Sequence, residues 1–98
     1  MSDQKLAENI GSLIANESYY YVAVKGSPFA TDCAVFGLIA DEMQALCKRF
    51  PNSGSDVING VTIKGAPIPV INALAELGYR IVSSTGEAEI LWTLQRET

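Results

Sequence analysis

Hydrophobic positions change period several times along this chain, and each change marks an element. Leu6, Ile10, Leu13 and Ile14 recur at helical spacing, with Gln4, Lys5, Glu8, Asn9 and Ser12 opposite. Ser2 or Asp3 is placed to cap that helix, which runs to about Asn16. Ser18 to Lys25 alternates instead. Tyr19, Tyr21 and Ala23 fall on one face, and Tyr20, Val22 and Val24 on the other, which predicts a strand with apolar mass on both sides.

From Thr31 to Phe50 two periods overlap. Cys33, Val35, Gly37 and Ile39 alternate like a strand, whereas Phe36, Ile39, Ala40, Met43, Leu46, Cys47 and Phe50 fit a helical stripe. The favoured reading is a strand over 31–38 and a helix over 40–50, with Asp41-Glu42 at its positive end and Lys48-Arg49 at its negative end. The rival is one long helix from Thr31. Pro51 to Ser55 is a loop. Asn59-Gly60 between apolar residues predicts either a hairpin or a turn feeding one strand over 61–64.

Pro67 and Pro69 suit a helix start, Val70, Ile71, Leu74 and Leu77 form its stripe, and Gly78 sits at a left-handed cap. Tyr79 to Ser84 then reads as a strand and Thr85 to Glu87 as a turn. Beyond it Ala88, Ile90, Trp92 and Leu94 alternate against Glu89, Leu91, Thr93 and Gln95. The sum is a single α+β domain over 1–98. It has a mostly antiparallel sheet of five or six strands, with two or three helices packed on it.

Composition changes that picture in one respect. The chain is 48% hydrophobic and 18% charged, below the roughly 25% charged share of ordinary domains. A 98-residue chain buries only about 60–70% of its unfolded surface, so a second subunit is a natural cover for the apolar surplus.

Charge excludes several partners. The net charge is −4 and the basic residues are scattered, with Lys48 and Arg49 alone adjoining. Phosphate-rich partners need a clustered basic face, so neither nucleic acid nor an anionic membrane is expected. No apolar run approaches the ~20 residues of a membrane span, and no signal-peptide pattern opens the chain. Cys33 and Cys47 are read as free thiols of a reducing compartment, so the expected location is cytoplasmic.

Candidate chemistry is thin. Histidine is absent, which removes the commonest general base and metal ligand. Asp32 beside Cys33 opposes a thiolate, so a buried, inert cysteine is the better reading. The two cysteines lack metal-clamp spacing, and no cofactor or metal is expected. Asp41 and Glu42 are explained as helix-start carboxylates. An enzyme would have to rely on the remaining carboxylates, thiols or lysines, and the expectation is that the protein is not one. Ser83, Thr85 and Gly86, with Glu89 just beyond, offer hydroxyls, backbone N–H groups and a carboxylate. They are the candidate small-ligand contacts. Tyr19, Tyr21, Leu91 and Trp92 are the candidate interface residues.

Pro67 to Glu97 reads PIPVINALAELGYRIVSSTGEAEILWTLQRE, about a third of the chain. It resembles the C-terminal region of the GTP cyclohydrolase I feedback regulatory protein family. There a proline pair opens a helix and Gly, an aromatic and Arg close it; a strand then leads to Ser-x-Thr-Gly, and a Leu/Trp strand follows. The matching positions are Pro67, Val70, Leu74, Gly78, Tyr79, Arg80, Ser83, Thr85, Gly86, Leu91, Trp92, Leu94 and Glu97. Relative to that pattern the loop after Gly86 is one residue shorter and carries acidic Glu87 and Glu89, and the helix before Ser18 is an addition.

The resemblance implies a closed ring of subunits, a small-metabolite site and docking on a partner enzyme. The resulting expectation is a non-enzymatic homo-oligomeric regulatory or small-ligand-binding protein. The alternative is a structural or protein-interaction module without a ligand.

Overall fold

The computed structural model describes residues 18–54 and 57–98, so the helix expected over 2–16 lies outside the described residues. One sheet carries the fold. Its strands are β1 (Tyr19–Gly26), β2 (Cys33–Phe36), β3 (Gly60–Ile63), β4 (Arg80–Gly86) and β5 (Ile90–Glu97), and its helices are α1 (Ala40–Arg49) and α2 (Pro67–Glu76). The strand order is β3-β2-β1-β5-β4 and every pairing is antiparallel. This is the expected α+β architecture.

β1 is the centre because both of its edges are paired, with β2 on one side and β5 on the other. It pairs with β5 over its full length, from Tyr19 opposite Glu97 to Gly26 opposite Ile90. That register puts Val22 and Val24 beside Leu94 and Trp92 on one face. Val35, Val61 and Ile63 continue the same face across β2 and β3. Leu46 of α1 and Val70, Ile71, Ala73 and Leu74 of α2 close over it, giving one core cluster. Each fully buried aliphatic side chain contributes roughly 2 kcal/mol relative to exposure.

The ambiguous stretch resolves as strand then helix. β2 is shorter than expected because Gly37, at φ +91°, ends it one residue after Phe36. The continuous helix from Thr31 is therefore excluded. α1 begins after Ile39, which makes no side-chain cap. Asn59-Gly60 does not form a hairpin. Asn59 is left-handed at φ 61°, Gly60 donates to Val57 O, and β3 pairs along its length with β2, while the preceding chain meets it through the single bridge of Gly54 to Thr62.

α2 starts and stops as its sequence dictates. Pro67 occupies the first turn, where no N–H is missed. At the other end Gly78 N–H donates to Ala75 O and Tyr79 N–H to Leu74 O, with Gly78 at φ +95°. Those two bonds are the Schellman termination that glycine permits. The terminal hairpin is displaced from its expected register by about two residues. β4 runs on to Gly86, whose φ of +120° turns the chain through Glu87–Glu89, and β5 begins at Ile90.

Candidate functional site

The two edges of the sheet differ. β3 forms one edge, and the chain itself closes part of it. Gly54 N–H donates to Thr62 O at 3.0 Å, and Thr62 N–H donates back to Gly54 O at 2.8 Å. Ser53 Oγ holds that loop in place, donating to Phe50 O at 2.6 Å and accepting from Lys64 N–H at 2.9 Å. β4 forms the other edge, and no strand or loop of the described residues pairs with its outer side. All seven of its residues are exposed, including Ile81 and Val82 at 46% each. Its one irregularity is a bulge between Ile81 and Ser83, after which Ser83 to Gly86 pair regularly with β5.

The face away from the helices collects most of the expected interface. Tyr19, Tyr21 and Leu91 all lie on it, by their pairing with Glu97, Gln95 and Lys25. Tyr19 and Tyr21 are exposed, and Gln95 Nε2 donates to the Tyr21 hydroxyl at 3.0 Å. Trp92 is placed differently. It is 9% exposed and belongs to the core on the helix side, so it is not part of that surface.

Of the candidate ligand residues, Ser83 and Thr85 share the outer face of β4, opposite Thr93 and Leu91, and Gly86 sits against the Glu89 backbone at the turn. Glu89 is the one of the four that lines a cleft of about 310 Å³, with Lys25, Ser27, Asp32 and Cys33. A larger cleft of about 370 Å³ opens at the far end of β4, lined by Tyr19, Leu77, Arg80, Gln95 and Glu97 among others. Both clefts are mixed in charge, so neither selects one sign of ligand by charge alone.

Glu42 is the residue the sequence pattern conceals. Rather than standing at the surface of the first helical turn, it is 5% exposed. Tyr79 donates to its Oε1 at 2.8 Å and Arg96 Nη1 to its Oε2. The Arg96 guanidinium also lies 4.8 Å from the Tyr79 ring centroid and 5.4 Å from that of Tyr20. Tyr20 in turn donates to Gly37 O. Burial first, and then the hydrogen bond to Glu42, push the Tyr79 hydroxyl pKa up. Among the described residues no buried side-chain polar atom lacks a partner, and the knot ties α1 to β5 and to the α2 exit. The one available signal was that a tyrosine, an arginine and an acid fell in elements with otherwise apolar faces.

Cys33 is not presented as a nucleophile. Cys33 is buried, and desolvation followed by Asp32 pushes its pKa up to about 12. Cys47 is half-buried and free. Among the described residues no group of three Cys, Asp or Glu is placed to hold a metal ion. No helix among them is long and apolar enough to cross a membrane.

Fold and site together define an α+β domain with one sheet edge closed, the other open, and an aromatic outer face. No family model, curated protein or solved structure matches this chain.

Proposed function

We propose that this protein acts by association rather than by catalysis, as a homo-oligomeric regulatory or small-ligand-binding protein. The observation that carries the reading is the open β4 edge, seven exposed residues with Ile81 and Val82 among them. An unpaired edge with exposed Ile81 and Val82 invites pairing, and its blunting devices, Arg80 and the bulge between Ile81 and Ser83, are confined to its first half. The exposed Tyr19 and Tyr21 on the adjoining face add aromatic surface of the kind enriched at interfaces. The resemblance of Pro67 to Glu97 to a family of feedback regulators points the same way. In this reading a metabolite favours one state of a partner enzyme by binding differentially.

The second reading, an interaction module without a ligand, is favoured by the lining of the cleft of about 310 Å³, which includes Glu89 but not Ser83, Thr85 or Gly86. Two measurements decide between them. Light scattering coupled to size exclusion gives the native mass, and a strict monomer at roughly 100 μM, well above micromolar dissociation constants, overturns self-association. A thermal-shift screen with amino acids and pterins tests for the ligand, since a molecule that binds the native state alone raises the melting temperature. A silent screen on an oligomer selects the second reading.

A further inference from the structure

We infer that β4 pairs antiparallel with β4 of a second copy about a two-fold axis, joining two five-stranded sheets into one. This rests on the self-association proposed above and specifies its geometry. A continuous sheet between copies has two forms. Head-to-tail pairing joins β4 to β3 of the next copy and leads to a ring or a filament, whereas β4 to β4 closes at two chains. The chain itself obstructs the first form, because the outward backbone groups of Thr62 on β3 are already bonded to Gly54. The second form needs only the edge that is open.

Charge selects a second copy and the antiparallel direction. β4 starts at Arg80, carries no charge from Ile81 to Gly86, and runs into the acidic turn of Glu87 and Glu89. With the axis at Ser83 or midway between Ser83 and Ser84, Arg80 of each copy comes beside the acidic turn of the other, twice by symmetry. Parallel pairing would instead set Arg80 against Arg80. The uncharged middle of the strand places Ile81 and Val82 opposite Ser84, Thr85 and Gly86 of the partner, so no charge is desolvated there.

The test is native mass across a concentration series for the full chain and four variants, with Trp92 fluorescence confirming that each is folded. The expected wild-type particle contains two chains. Val82→Lys, a charge on the β4 edge, is expected to give one chain. Arg80→Glu should raise the dissociation constant about tenfold, as two rim contacts are reversed, and Arg80→Glu with Glu87→Lys should restore it. Thr62→Lys on the β3 edge should change nothing. A particle of three or more chains broken by both Val82→Lys and Thr62→Lys overturns the two-fold pairing but leaves self-association standing. An oligomer indifferent to Val82→Lys overturns β4 as the contact and likewise leaves self-association. A wild-type monomer at roughly 100 μM, well above the micromolar dissociation constants of ordinary stable pairs, overturns both.

Discussion

The Tyr79 hydroxyl donates to Glu42 Oε1 at 2.8 Å across 37 positions of sequence, inside a knot completed by Arg96. Removing the acid leaves both donors facing a site with little water. Glu42→Ala is expected to destabilise by about 3 kcal/mol, the cost of breaking a buried pair. Tyr79→Phe, which removes one donor and keeps the ring over Arg96, should cost only about 1 kcal/mol. Denaturant unfolding of the two single variants and the double variant checks this. A strictly additive cycle would mean the groups are not coupled.

A second ion pair supplies the contrast. Arg49 and Glu76 join α1 to α2 at 2.6 Å, but their side chains are 57% and 60% exposed. Water screens that pair and its ordering costs side-chain entropy, so Glu76→Ala should change stability by less than about 0.5 kcal/mol. The same unfolding titration measures it. A loss comparable to that of Glu42→Ala would refute the distinction between the two pairs.

Gly78 isolates the backbone cost of a left-handed residue. At φ +95° nothing lies within 4 Å of where a Cβ would stand. Gly78→Ala therefore meets no side chain, and its expected cost of about 1–2 kcal/mol is conformational. Thermal unfolding should show a lower midpoint with unchanged core fluorescence from Trp92.

Cys33 makes stability depend on pH at the alkaline end. Burial and the Asp32 carboxylate push its thiol pKa up to about 12 in the folded chain, against 9.0 for a thiol free in water. Below pH 9 both states keep the proton and nothing changes. Between 9 and 12 the unfolded chain releases it while the folded chain does not, so stability falls with rising pH. The slope attributable to this one thiol is about 1.4 kcal/mol per pH unit. Tyr79 adds to the same trend from above pH 10, so the measurement is the difference in slope between the wild type and Cys33→Ala. At pH 8 a thiol reagent should modify the half-buried Cys47 well before Cys33. Equal rates would contradict the burial of Cys33.

Much of the secondary structure was legible because it is decided locally. The alternation of Tyr19 to Val24 and of Ile90 to Leu94 fixes which side chains share a face, whatever the strands pair with. The Pro67 start and Gly78 stop of α2 reflect backbone preferences of single residues. Where two periods overlapped, from Thr31 to Phe50, local pattern favoured strand then helix but kept one long helix as a rival. Pairing of β2 with both β1 and β3 decided it. Asn59-Gly60 carried a hairpin signal of two residues, too short to outweigh the long-range partner that β3 found in β2.

The candidate site was legible only in fragments. Tyr19, Tyr21 and Leu91 were placed on one surface by their alternation, but Trp92, next in sequence to Leu91, necessarily points into the core. Glu42 looked like any acid at a helix start, because burial is a property of what packs against it. Its partners come from Tyr79 and Arg96, 37 and 54 positions away. Which edge of the sheet is closed depends likewise on a loop residue, Gly54, returning to Thr62. By itself the sequence determined the kind, face and ends of most elements, since period and φ preference act over a few residues. Only the tertiary structure decided which strand lies beside which, which charge is buried and which edge stays open, because those follow from contacts between residues remote in the chain.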